Sequence, residues 1–219
     1  MGSTALEMVN SALRMCNEST VASFSQTQEF PGNIVLDCFN TVIREMNRWG
    51  SYWFQETDTA LSYGVGTYTY TLSSSSIDPN RILDVRRTLT NYQGYLKQMN
   101  HRDFLNDFRR AAVETTTPSY WTKFGGVLEL STIPDQDYSL KVRHFKDIPV
   151  LTTGDTSTTF NLPLADEDVF VDGIKAYLKK ELGRMEWTND YELYKAKARK
   201  LVADMNMDSG LPTVMPSLF

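Results

Sequence analysis

"RWGSYWFQETD" (Arg48–Asp58) decides how this chain is read. Before it, apolar residues recur at three- and four-residue steps. Beyond Gly50 the period falls to two and the composition turns to Thr, Tyr, Val and Phe, so a helical pattern gives way to a strand pattern. Trp49, Tyr52, Trp53 and Phe54 sit at that change. Trp49 closes an apolar helical stripe while Tyr52, Trp53 and Phe54 begin the first strand. The four are therefore expected to wedge two subdomains at a fixed angle rather than to hold a ligand.

On the N-terminal side, Ala5, Met8, Val9, Ala12, Leu13 and Cys16 paint one face of a helix from Thr4 to Cys16, with Ser3 or Thr4 as its cap. Thr20 to Gly32 reads as a loop. A second helix runs from about Asn33 to Trp49, with Val35, Cys38, Val42 and Met46 on its stripe and Gly50 as a stop. Helical periodicity returns after the Thr- and Ser-rich stretch Thr152–Thr159. Asp166–Met185 aligns Phe170, Ile174, Tyr177, Leu178, Leu182 and Met185, with Asp166, Glu167 and Asp168 in the first turn. Asn189–Met207 aligns Tyr194, Ala198, Leu201 and Met205. Each helix has one apolar face and is marginal alone, which predicts a four-helix bundle built from both chain ends. The expected organisation is residues 1–51 as the first half of the bundle and 52–162 as an inserted β-rich domain. Residues 163–208 complete the bundle and 209–219 form an extended tail.

The inserted region carries short alternating runs bounded by polar breaks. "VGTYTYTLS" places Tyr68, Tyr70 and Leu72 on one buried face; "RILDVRRTLT" and "GYLKQM" follow; "SYWTKFGGVLELS" reads as a hairpin turning at Gly125–Gly126. In "DQDYSLKVRHF", Tyr138, Leu140, Val142 and His144 point to the core. A brief helix is expected over His101–Arg110, with Phe104, Leu105 and Phe108 as its apolar edge. The fold class is thus α+β, with an antiparallel sheet of sandwich or barrel type.

Chemistry is sparse. Net charge is −5 and the pI about 5.1, against a surface built to neutralise phosphates. The basic pairs Arg86–Arg87, Arg109–Arg110 and Lys179–Lys180 read as solvated faces. His101 and His144 lack partners at metal-ligand spacing, so neither a metal site nor a cofactor is expected, and His144 reads as a structural core residue. Gly64–Val65–Gly66 opens no helix and reads as a turn rather than a phosphate cradle. No nucleophile elbow or Walker motif occurs, and the acidic pairs Glu56/Asp58 and Asp135/Asp137 sit in strand-edge or turn contexts. Cys16 and Cys38 fall on apolar helical faces and read as unpaired, buried residues of a reducing compartment. With no apolar run long enough for a membrane span and no signal-peptide layout, a soluble protein made in the cytoplasm is expected.

The last residues, "DSGLPTVMPSLF", stand apart. Gly210, Pro212 and Pro216 forbid a helix, yet Leu211, Val214, Met215, Leu218 and Phe219 leave large apolar groups that the tail cannot cover itself. Such a segment either docks in a partner's groove or folds back on its own bundle.

Taken in order, "NRWGSYWFQETD", "GTYTYTLSSSSIDPNRILDVRRT", the block "TPSYWTKFGGVLELSTIPDQDYSLKVRHFKDIPVLT" and the two closing helices resemble the head-to-tail adaptor proteins of tailed bacteriophages. That group includes the tail tubular protein A type and the tail accessory factors. The resemblance implies a non-enzymatic virion protein at the head–tail junction, forming a homo-oligomeric ring of about twelve copies between the portal protein and the tail nozzle protein. DNA would pass through its channel without sequence-specific binding, helped by the acidic wall. It also implies portal binding through Leu211, Pro212, Val214, Met215, Pro216, Leu218 and Phe219. Subunit contacts are expected between bundles and between β-domains, with Arg86, Arg87, Asp103 and Glu114 at the rim. Two rivals are a virion-borne peptidoglycan hydrolase and a soluble binding module unrelated to phage.

Overall fold

A computed structural model describes residues 2–27, 30–63, 65–89, 92–109, 113–160 and 164–209. The tail segment 210–219 lies outside the described residues, as do the side chains of Trp53 and Met205. The fold is α+β. Its helices are α1 (Ala5–Met15), α2 (Gly32–Trp49), α3 (His101–Phe108), α4 (Leu164–Glu181) and α5 (Trp187–Ser209). Its strands are β1 (Glu56–Tyr63), β2 (Thr69–Thr71), β3 (Ile82–Leu89), β4 (Tyr92–Gln98), β5 (Tyr120–Phe124), β6 (Val127–Leu130) and β7 (Tyr138–Phe145). The chain divides into a helical unit, Met1–Phe54 with Asp147–Phe219, and a β unit, Gln55–Lys146.

In the helical unit α4 packs against α1, α2 and α5. Helix α1 starts with a reciprocal cap: the Thr4 hydroxyl accepts from the Glu7 N–H (3.2 Å) and the Glu7 carboxylate from the Thr4 N–H (2.7 Å), closing two orphan donors. Phe39, Phe160 and Phe170 form a three-ring cluster in the core, with centroids 5.5 to 5.9 Å apart. Gly173 on α4 brings three helices together: a Cβ there would lie 2.9 Å from a Val42 methyl and 3.0 Å from the Tyr194 ring. Gly50 ends α2 in extended backbone, not the left-handed cap of a helix-stop glycine. Its role is close approach, since a Cβ would meet a Val202 methyl at 3.0 Å. Helix α4 closes at Gly183 (φ +67), where the Arg184 N–H reaches the Lys179 carbonyl. Leu182 and Met185, expected on its apolar stripe, therefore fall in the turn and are exposed, Met185 at 90%.

Three helical asparagines hold the loops of this unit, each using its amide as a stand-in for a strand. Asn10 accepts from the Val21 N–H (2.9 Å) and donates to the Val21 carbonyl (3.0 Å). Asn40 does the same to Leu151 (2.7 and 2.9 Å), and Asn47, two turns further along α2, to Ile148 (2.9 Å each). The stretch 147–160, expected in the β-rich insertion, consequently packs with the helices, and Ile148, Leu151 and Phe160 are buried in the helical core.

The β unit is one seven-stranded sheet in the order β1–β7–β3–β4–β5–β6–β2. The first strand starts at Glu56, later than expected, because Trp53–Gln55 coil into a short 3-10 turn. β5 and β6 form the hairpin at Gly125–Gly126, both at positive φ. The expectation of a wholly antiparallel sheet is corrected at one place: β4 and β5 run parallel through Lys97–Tyr120 and Gln98–Trp121. Parallel neighbours need a long crossover, and α3 with the segment after it supplies one. Phe104 of α3 is buried, whereas Leu105, expected beside it, is 41% exposed. Leu72, Trp121, Leu128, Leu140 and Val142 are core residues, with Tyr68 and Tyr70 packed against them.

Candidate functional site

Among the described residues, the charged and aromatic side chains that stand out gather on surfaces. On the β unit the outward face of β1, β7, β3 and β4 carries a charged ladder fixed by register, with Asp58 opposite Arg143, Arg143 opposite Asp84, and Arg86 opposite Tyr95. Arg86 donates to Asp58 (2.5 Å) and reaches Asp84 (3.1 Å), while Arg143 pairs with Glu56 and approaches Asp84 at 3.7 Å. The Arg86 guanidinium also lies 5.8 Å from the centre of the Tyr95 ring, which is 69% exposed. Arg87 donates to the Pro118 carbonyl at 2.9 Å. The two arginines expected at a subunit rim are thus engaged within their own unit.

Two further basic residues serve as struts. Arg109 lies between the rings of Tyr68 (4.7 Å) and Phe104 (4.9 Å) and donates to the carbonyls of Leu130 (2.7 Å) and Ser131 (3.3 Å), pinning the end of α3 to the sheet. Lys123 donates to the Pro79 carbonyl at 2.5 Å. His144 is buried on the core face of β7, its Nε2 2.9 Å from the Thr59 hydroxyl. Burial lowers its pKa and keeps the ring neutral near pH 7. His101 stacks on Phe124 with ring centres 4.3 Å apart.

On the helical unit, Asp190 of α5 takes salt bridges from Lys175 (2.6 Å) and Lys179 (2.7 Å) of α4. Burial pushes the Asp190 pKa up, but the two ammonium groups prevail and hold it below the usual carboxylate range. Arg184 donates to the Cys16 carbonyl (2.6 Å) and pairs with Glu18, tying the end of α1 to the α4–α5 turn. Cys16 and Cys38 are both free and buried, and burial, reinforced by Glu181 and Asp37, pushes the Cys38 thiol up to about 12. These carboxylates border a groove of about 170 Å³ between α2 and α4, lined by Ile34, Asp37, Cys38, Thr41, Tyr177 and Glu181.

Of the aromatic cluster at the helix-to-strand change, Trp49 packs on Tyr194 (5.1 Å between ring centres), and Tyr52, fully buried, stacks on Phe54 (5.4 Å). All three rest against the helical core. The apolar tail from Leu211 to Phe219 lies outside the described residues. Among the described residues no group of three metal-ligating side chains converges, and no helix is long and apolar enough to cross a membrane. The groove and the three asparagine clasps escape sequence reading. The clasps left one trace, since Asn40 and Asn47 are seven residues apart on one helix whose interior disfavours Asn.

Comparison with known proteins supplies the assignment that surface geometry alone does not. A family model described as SU10 adaptor protein matches residues 3–214, nearly the whole chain. No curated protein matches. The chain belongs to the SU10 adaptor protein family, a family of bacteriophage structural adaptors, which makes it a virion component that meets other phage head and tail proteins.

Proposed function

We propose that this member of the SU10 adaptor family forms a ring at the head–tail junction, between the portal and the tail nozzle, with a central channel through which DNA is held and ejected. The observation that carries the reading is the family match over residues 3–214. A ring of identical copies is the closed form that head-to-tail contacts can generate, and about twelve copies is the number the resemblance to head-to-tail adaptors implies. The net charge of −5 per chain suits a channel that repels the DNA backbone and lets it slide.

In this account the helical ends of the chain face the portal, and the apolar segment Leu211–Phe219 docks on it. Deleting residues 211–219 tests the docking role. Circular dichroism and thermal melting should match the full-length chain, and binding to the portal ring of the same phage should weaken by tenfold or more. Undiminished portal binding by the truncated chain would sink the role assigned to the tail.

A further inference from the structure

Within the ring just proposed, on which this inference rests, the helical unit carries two open surfaces of opposite charge. The first is the groove of about 170 Å³ between α2 and α4. Ile34, Asp37, Cys38 and Thr41 recur along α2 at helical spacing, and Tyr177 and Glu181 face them from α4 one turn apart. Asp37 and Glu181 are both exposed, and among the described residues neither carboxylate has an ion-pair partner. Burial and these two charges together raise the Cys38 thiol, in keeping with carboxylates held beside the groove.

The second surface lies on α5. Tyr194 and Ala198 are fully buried, and Leu201 packs partly against the core. The opposite face exposes Leu193 (48%), Ala196 and Lys200 at three- and four-residue steps, with Arg199 beside them. Arg199 and Lys200 also lack an ion-pair partner among the described residues. This contrasts with the basic residues nearby: Lys175 and Lys179 are both held by Asp190, and Lys197 by Asp172 at 2.5 Å.

We infer that the occupant of the α2–α4 groove is the α5 stripe of a second copy of this chain, with Leu193 and Ala196 against the apolar lining and Arg199 and Lys200 against Asp37 and Glu181. Charge complementarity selects this partner. The groove and the stripe are different surfaces, so each copy offers one of each; used once per neighbour the contact is heterologous, the head-to-tail kind that builds the ring proposed above where its rotation closes. At about 170 Å³ the groove receives a few side chains, not a whole helix. The contact therefore registers neighbouring subunits, and the remaining ring surface supplies area.

Charge exchange on the full-length chain tests this. Self-association and assembly on the portal ring are measured by sedimentation velocity for the wild type, for Asp37→Lys with Glu181→Lys, for Arg199→Glu with Lys200→Glu, and for all four changes together. All four positions are exposed, and circular dichroism checks that each variant is folded. Each two-site reversal should weaken association by about tenfold or more, and the four-site variant should regain it, because reversed stripe meets reversed groove. An equimolar mixture of the two two-site variants should also recover. Two-site variants that assemble like the wild type, or a four-site variant no better than either, would overturn the inference and leave the ring reading standing. A wild-type chain that neither self-associates nor adds mass to the portal would overturn the ring itself.

Discussion

The two units of this chain satisfy their charges differently. On the β unit one sheet face carries a connected ladder, Glu56, Arg143, Asp84, Arg86 and Asp58, and Arg109 packs on two rings and donates to two carbonyls. The helical unit ties its loops with backbone clasps from Asn10, Asn40 and Asn47 and pairs Asp190, Asp172 and Glu18 with basic partners, but among the described residues Asp37, Glu181, Arg199 and Lys200 have no ion-pair partner. A surface whose charges already neutralise each other gains little from a partner, whereas unmatched charges beside apolar patches gain from one. On the inference drawn above, the helical unit's unmatched charges are the ones used in assembly.

The largest expected effect is at the clasps. Asn40 is buried, and replacing it with Leu strands the N–H and carbonyl of Leu151 without partners, at a cost of about 3 kcal/mol. Chemical denaturation should show that loss, and proteolysis should open at 147–160 first. An Asn40→Leu chain as stable as the wild type would remove the clasp as a reason why this segment joins the helices. Next comes Arg109→Met, which keeps the length of the side chain but loses its ring contacts and carbonyl bonds. About 2 kcal/mol of β-unit stability should disappear, and Arg109→Lys should restore little, because a point charge does not reproduce the planar fork.

A smaller effect is pH-dependent. The folded-state pKa of His144 is lowered by burial, so below the unfolded value of about 6.5 the unfolded chain binds the proton more readily. Stability should be full above that pH and fall as the solution is acidified toward the folded pKa. Melting temperatures between pH 8 and 5 should therefore decline more steeply for the wild type than for His144→Gln; parallel curves would contradict the assignment. The smallest effect is on the ladder: Asp58→Asn, at a 43% exposed side chain, should cost under about 1 kcal/mol, and less at high salt. A loss several times larger would mean that the β face, too, depends on its charges for more than local order.

The helices were legible in the sequence because each has a one-sided apolar stripe, and the hairpin because Gly125–Gly126 supplies two positive φ values where a turn needs them. The ends were less legible. Leu182 and Met185 continue α4's stripe by spacing, but Gly183 ends the helix between them, and periodicity alone does not weigh that stop. The parallel β4–β5 pair and the clasps of Asn40 and Asn47 stayed hidden for one reason: they join segments apart in the chain, Asn40 to Leu151 most of all, and local pattern carries no information on such pairings. The groove between α2 and α4 is hidden in the same way, since its lining residues lie on two helices far apart in the chain.

The most direct test of the adaptor reading is the mass of the complex formed when the purified chain is mixed with the portal ring of its phage, measured by light scattering. Twelve chains of 25.0 kDa should add about 300 kDa to the portal. A portal whose mass is unchanged, both alone and after DNA packaging, would contradict it.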